Sequence, residues 1–134
     1  MPTYALGLDF GTNSCRSIII DLGDGREVAD AVFDYPSGEA GILTDPRDPN
    51  LARQNPRDYL QGIEAVVHGA LEATRRDDAA FDPQAIVGIG VDTTGSTPMP
   101  VDRDGTPLAM RPEFDGNLNA MAWLWKDHTS HAEA

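Results

Sequence analysis

The sequence has only one cysteine and few basic residues. Cys15 alone can form neither an internal disulfide nor a cysteine zinc site, so we expect it to be a small buried residue in a reducing cytoplasm. Ten Lys and Arg residues accompany 22 Asp and Glu residues, and the net charge is −12. Binding to nucleic acid or to an anionic membrane needs a basic patch, which this composition argues against.

Long apolar runs and the two common nucleotide-binding motifs are also missing. No stretch approaches the roughly 18 apolar residues of a membrane-spanning helix. The start MPTYALGLDFG lacks the basic and apolar regions of a secretory leader, which predicts a cytoplasmic protein. No Gly-Lys-Ser or Gly-Lys-Thr is present for a Walker A loop, and the glycines at 88 and 90 lack the third glycine of a dinucleotide fingerprint.

The first part of the chain predicts three strands. Residues 4–10 form a mostly apolar run that reaches Asp9 and breaks at Gly11, as a buried strand that delivers a carboxylate to a loop would. A β-branched stretch at 17–20, a turn-rich segment at 21–25 and alternating apolar residues at 29–35 predict two more strands joined by hairpins. Residues 36–54 show no periodicity and are predicted to be an irregular surface segment.

The second part predicts a helix followed by a buried strand. Asn55 is a candidate N-cap with proline after it, and apolar residues repeat at helical spacing to about Arg75. Residues 86–91 have the pattern of a buried parallel strand that again ends at an aspartate. Residues 99–110 indicate a hairpin weakened by prolines. Residues 118–128 fit either a helix or a short strand, with a slight preference for the helix.

A carboxylate followed by a glycine turn and hydroxyl side chains forms the strongest local pattern, GLDFGTNSCR at residues 7–16. A hard cation such as Mg²⁺ prefers carboxylate oxygen, and backbone N–H groups beside Gly11 suit phosphate. Arg16 is placed to reach a terminal phosphate. The same residues also fit an ordinary hairpin in which Gly11 serves only the turn and Arg16 is solvated.

GLDFGTNSCR resembles the first phosphate motif of the actin-like ATPases. Further stretches, VGIGVDTTGSTPMPVDRDGTPL, RPEF and AMAWLWKDHT, resemble the FGGY carbohydrate kinases and, within them, most specifically the ribulokinases. The resemblance implies an α/β fold: a ribonuclease H-like, actin-like ATPase domain with a mixed sheet and flanking helices, incomplete in this chain. It also implies that residues 1–134 are the N-terminal part of the first of two actin-like domains, with the second domain absent.

The resemblance implies ATP and Mg²⁺ as cofactors and assigns site residues. Asp9 would hold the metal through water, and the other phosphate-side candidates are Gly11, Thr12, Asn13, Ser14 and Arg16. The loop after the second parallel strand would face a ketopentose, with candidates Asp92, Thr94, Gly95 and Ser96, bordered by Lys126 and Asp127. The catalytic base is expected outside these residues. The Arg-Glu pair of glycerol-type relatives is missing here, which favours a ketopentose.

Three interpretations of function remain open. The first is the N-terminal fragment of a kinase that phosphorylates L-ribulose in L-arabinose catabolism, inactive alone, with a homodimer possible for the full-length protein. The second is an actin-like ATP-binding module without sugar kinase activity. The third is a non-functional remnant whose open sheet edge makes it prone to aggregation. Asp92 also fits a strand-end acid that caps a turn, and Lys126 with Asp127 also fits a solvated pair.

Overall fold

The structure, a computed structural model, describes residues 2–134 as two small sheets and one long helix. The regular elements are β1 (Tyr4–Phe10), β2 (Ser14–Asp21), β3 (Glu27–Asp34), β4 (Leu43–Asp45), β5 (Asp48–Gln54), α1 (Pro56–Asp77), β6 (Ile86–Thr93) and β7 (Ala122–Trp123). Short 3₁₀ turns lie at Pro83–Ala85, Leu108–Met110, Pro112–Phe114 and Leu118–Ala120.

The larger sheet has the strand order β3-β2-β1-β6. The first three strands form antiparallel pairs, and β6 returns parallel to β1 after α1. The predicted mixed sheet is therefore confirmed. Its register places Asp9 beside Asp92, at the carboxyl ends of the two parallel strands.

Helix α1 begins as its sequence predicts. The Asn55 side chain accepts a hydrogen bond from the Arg57 N–H at 3.1 Å, and proline occupies the first turn. The helix continues to Asp77, two residues past the predicted end. Within residues 2–134, no helix is long and apolar enough to cross a membrane.

The core lies between α1 and the larger sheet. Gly62, Val66, Ala70 and Thr74 recur every four residues on the buried face of α1, which packs on β2 and β3. Cys15 is fully buried there, as predicted, and burial together with the nearby charge of Asp9 raises the pKa of its thiol.

The prediction of an irregular segment at 36–54 is wrong for its second half. Residues 43–54 contain β4 and β5, which pair with each other and, through β5, with β7 to form a second antiparallel sheet. β5 reads DPNLARQ and shows no alternation of apolar residues. Its strand conformation depends on pairing with β4 and, at Arg53 and Gln54, with β7 about 70 residues away in the chain, and local periodicity does not show such pairing.

The preferred helix at 118–128 is also wrong. The segment forms one 3₁₀ turn at Leu118–Ala120 and then β7, because the backbone bonds of β7 go to β5 and to the Pro98 carbonyl. At 99–110 the turn forms, with Gly105 at a φ of +82°, but its arms are joined by a single bridge between Val101 and Pro107. The prolines leave too few N–H donors for a ladder.

Strand β6 forms where the sequence predicts it, but it is not buried. It is an edge strand, and Val87, Ile89 and Val91 are between 61 and 66% exposed. Burial of a parallel strand requires neighbours on both faces and both edges. Helix α1 lies over β2 and β3, so the predicted burial of β6 is wrong for residues 2–134.

Candidate functional site

The loop between β1 and β2 is held tightly by backbone and side-chain hydrogen bonds. The Gly11 N–H donates to the Ser14 carbonyl at 2.9 Å, and a Cβ atom on Gly11 would lie 3.2 Å from that oxygen. Asn13 accepts from the Tyr35 N–H through its carbonyl and donates from its side chain to the Ala40 carbonyl at 2.7 Å. Close approach of two backbones therefore explains the glycine.

Asp9 and Arg16 extend from the same end of the sheet. They are direct cross-strand partners of β1 and β2, and both side chains are exposed. Among residues 2–134, neither side chain makes an ion pair, so both remain available to a ligand. No cluster of three or more metal-binding side chains occurs in residues 2–134. A single carboxylate fits Mg²⁺, which keeps several waters and takes its other ligands from phosphates.

The loop after β6 lies beside the loop after β1. The Thr94 N–H donates to the Phe10 carbonyl at 3.0 Å, which joins the two loops directly. The Asp92 carboxylate accepts the Thr93 N–H at 3.0 Å, and the Thr94 and Thr97 hydroxyls are 3.2 Å apart. The left-handed residue of this loop is Ser96, at a φ of +54°, and not Gly95.

A cleft of about 310 Å³ opens between the end of β1, the end of β6 with the loop after it, and the start of α1. Its lining combines two aromatic rings with hydroxyl side chains: Phe10, Tyr59, Thr93, Thr94 and Thr97. A Cβ atom on Gly95 would meet nothing within 4 Å, so that part of the loop borders open space. Apolar walls with a few hydroxyl groups are typical of sites for small polar ligands.

The two candidates near the end of the chain have different surroundings. The Lys126 ammonium is exposed and lies 5.2 Å from the centre of the Trp125 ring. The Asp127 carboxylate is 2.7 Å from the Arg53 guanidinium and also accepts hydrogen bonds from Ala52 and Thr129. Both side chains of that ion pair are at most 5% exposed. The structure thus gives Asp127 a role in holding β5 to the chain after β7.

Asp9 and Asp92, with the loops that follow them, therefore lie together at the carboxyl ends of β1 and β6, whereas Asp127 lies apart in its ion pair with Arg53. Comparison with known proteins assigns the chain to a family. Residues 4–111 match the N-terminal domain of the FGGY family of carbohydrate kinases. The chain belongs to this family.

Relatives named ribulokinase include those from two bacteria. The one from Vibrio parahaemolyticus is 43% identical over 131 residues, and the one from Geobacillus thermodenitrificans is 35% identical over 135 residues. Each alignment covers 98% of the chain but only 22 and 23% of the relative. The chain therefore spans less than a quarter of the length of these relatives.

Solved structures of two kinases share the fold. A xylulose kinase from Rhodospirillum rubrum superposes with a TM-score of 0.72 at 21% identity, over 97% of this chain and 22% of that protein. A gluconate kinase from Lactobacillus acidophilus gives a TM-score of 0.71 at 16% identity, over 99% of this chain and 22% of that protein. The predicted actin-like α/β class is thus confirmed, in an incomplete form that has one α-helix in residues 2–134.

The sequence did not predict three side-chain contacts around the 11–13 loop. Gln54 donates to the Thr12 carbonyl at 2.7 Å, Tyr59 donates to Gln54 at 2.6 Å, and the Trp125 ring N–H donates to the Thr12 hydroxyl at 3.1 Å. Burial and the nearby Asp58 raise the pKa of Tyr59 to about 12, so its hydroxyl stays protonated at neutral pH. The sequence predicted an irregular surface segment at Gln54, and no local pattern indicated its burial.

Proposed function

We propose that this chain forms the phosphate-binding loop and one wall of the sugar site of an ATP-dependent sugar kinase. In this proposal residues 1–134 are the N-terminal part of the first actin-like domain of a cytoplasmic enzyme. The hydrogen bond from the Thr94 N–H to the Phe10 carbonyl carries the proposal, because it places the loop after Asp9 against the loop after Asp92. Ligands of open α/β sheets bind at the carboxyl ends of parallel strands, which is where these loops lie.

The phosphate side requires donors and one carboxylate. Asp9 would hold Mg²⁺ through water, and backbone groups of residues 11–13 would bracket the β- and γ-phosphates of ATP. Arg16 would neutralise charge on the transferred group, and the buried Ser14 would support the loop through its carbonyl. When bound, Mg²⁺ would supply charge neutralisation at the phosphates. These roles suit phosphoryl transfer, in which the protein contributes positioning and electrostatic stabilisation.

The sugar side presents hydroxyl and carboxylate groups to a ketopentose, for which we propose L-ribulose. The relatives named ribulokinase support this substrate and, with it, a place in L-arabinose catabolism. Asp92, Thr94, Gly95 and Ser96 would line the pocket, and Lys126 would border it. Asp127 would act indirectly through its ion pair with Arg53.

Calorimetric titration of the chain with Mg-ATP and with L-ribulose tests the proposal. We expect Asp9→Ala to abolish the heat of Mg-ATP binding and Asp92→Ala to abolish the heat of ribulose binding. Asp24→Ala, in an exposed turn, is the matched control and should change neither. Binding of Mg-ATP without any response to sugars would instead favour an ATP-binding module. No binding to a demonstrably folded chain would reject both ligand sites.

Turnover is a separate expectation. No general base is assigned within these residues, so we expect a coupled assay with Mg-ATP and L-ribulose to detect no kinase activity. ATP-dependent phosphorylation of ribulose by the 134-residue chain would contradict this expectation and place the base within it.

A further inference from the structure

Gln54 is a buried polar side chain whose hydrogen bonds converge on the 11–13 loop. It is the last residue of β5 and is 1% exposed. Its side-chain nitrogen donates to the Thr12 carbonyl at 2.7 Å and approaches the Gly11 carbonyl at 3.5 Å. Its side-chain oxygen accepts from the Tyr59 hydroxyl at 2.6 Å. Rotating the amide by half a turn would place its oxygen against two carbonyl oxygens, so this network determines its orientation.

These contacts determine where the loop N–H groups point. A trans peptide is planar, and its C=O and N–H bonds point in opposite directions. No cis peptide occurs among residues 2–134. Because the carbonyls of Gly11 and Thr12 point toward Gln54, the N–H groups of Thr12 and Asn13 point away from it. Within residues 2–134 neither N–H donates to a protein acceptor. Two adjacent N–H groups with a shared direction form a concavity suited to an anion.

We propose that Gln54 is a positioning residue that holds the Thr12 and Asn13 N–H groups ready for a phosphate group. The inference rests on the proposed function in one respect, that the 11–13 loop binds phosphate. Tyr59 supports Gln54 from the other side, because its hydroxyl donates to the amide oxygen and leaves both amide hydrogens for the loop. Without Gln54, the loop carbonyls would turn to water, and binding a phosphate would require the loop to be ordered again.

The decisive variant is Gln54→Met, which keeps the length of the side chain and removes its polar atoms. Backbone ¹⁵N relaxation of the ligand-free chain measures the mobility of the loop N–H groups directly. In the wild type we expect Thr12 and Asn13 to have order parameters near those of β1. In Gln54→Met they should fall toward the range of flexible loops, about 0.6 or below, while β1 and α1 stay unchanged. Tyr59→Phe keeps both donors on the loop and should have a smaller effect.

The Val66→Ala variant distinguishes a positioning role of Gln54 from a general loss of stability. Val66 is 1% exposed in the core, and its side chain makes no hydrogen bond to the loop. Its truncation should lower the stability of the chain while Thr12 and Asn13 remain ordered. Unchanged order parameters in Gln54→Met, or equal loosening of the loop in Val66→Ala, would overturn the proposal.

A second titration separates this inference from the proposed function. Inorganic pyrophosphate with Mg²⁺ is added while the Thr12 and Asn13 N–H resonances are followed. We expect Gln54→Met to bind on the order of tenfold more weakly, the cost of ordering a short loop segment. If the loop loosens in Gln54→Met but pyrophosphate shifts neither protein, the positioning role stands and phosphate binding by this loop is rejected.

Discussion

At the scale of single residues, Arg53 shows how a charge can be buried for a structural purpose. Its side chain is 1% exposed, pairs with Asp127 and lies 3.5 Å from the centre of the Trp123 ring. The Leu118 carbonyl and the Thr129 hydroxyl lie 3.4 Å from its remaining nitrogens. A buried ion pair is tolerated only when such partners satisfy both charges. The pair therefore ties β5 to the last segment of the chain.

Removing one partner of this pair should be costly. Asp127→Asn leaves the Arg53 guanidinium buried without a counter-charge, and we expect the free energy of unfolding to fall by about 3–5 kcal/mol. Urea denaturation followed by circular dichroism measures the change. Asp45→Asn is the control, because its partner Arg47 is 89% exposed, and it should have no measurable effect. Equal stability of Asp127→Asn and the wild type would show that the pair contributes nothing.

The Arg53–Asp127 pair also makes the stability of the fold depend on pH. Burial acts to raise the pKa of Asp127, but hydrogen bonds from Thr129, Ala52 and Arg53 outweigh it and hold the pKa below its usual range. A carboxylate with a lowered pKa in the folded state stabilises the fold fully above the unfolded-state value, about 3.9. This stabilisation is lost as the pH falls through the lower, folded-state pKa. Acid denaturation should therefore be less steep in Asp127→Asn.

At the scale of elements, α1 approaches the sheet closely because it carries glycine at its contact points. A Cβ atom on Gly62 would lie 3.0 Å from the Cβ atom of Cys15 and 3.3 Å from the Phe33 ring. One on Gly69 would lie 3.0 Å from the Cβ atom of Ala31. Glycine weakens a helix, so its presence at two contact positions indicates that the short distance between layers matters more than helix propensity.

Gly62→Ala tests this balance. Alanine would favour the helix by about 1 kcal/mol, whereas crowding the core costs about 1–3 kcal/mol. We expect a net loss of about 1 kcal/mol in urea denaturation. Gly88→Ala is the matched control, since a Cβ atom there would meet nothing within 4 Å. A stabilised Gly62→Ala chain would show that α1 can move outward without cost.

At the scale of the whole molecule, the two edges of the larger sheet differ in charge. β3 carries Glu27, Asp30 and Asp34, and such charges discourage pairing with another chain. β6 has no charge at residues 86–91, its apolar side chains are exposed, and VGIGV at residues 87–91 reads the same in both directions. A second copy could therefore pair antiparallel with β6 and place valine opposite valine.

We expect the 134-residue chain to self-associate through β6 as its concentration rises. Ile89→Lys places a charge at the centre of that edge and should shift sedimentation velocity profiles toward the monomer. Val32→Lys makes the same change on β3, where the wild-type side chain is 57% exposed, and should leave self-association unchanged. A wild-type chain that stays monomeric throughout the concentration series would contradict self-association through β6.

Local patterns in the sequence determined the parts of the fold that depend on neighbours in the chain. The β1–β2 hairpin, the N-cap at Asn55 and the amphipathic α1 rest on contacts within a few residues or on a period of 2 or 3.6. The apolar run before Asp92 likewise predicted strand β6. The same holds for the motif around Asp9, which led to the family. Because parallel strands end at one edge, the meeting of the two loops also followed from the sequence.

The tertiary structure alone decided what depends on distant partners. β5 is a strand because β4 and, from about 70 residues away, β7 pair with it. Its Arg53 and Gln54 are buried because the 11–13 loop and the chain end supply their hydrogen-bond partners. β6 is apolar by sequence and exposed in the structure, because burial depends on what packs against a strand and not on its composition. Hydrophobic periodicity reports which face is apolar, but pairing across tens of residues is settled only when the chain folds.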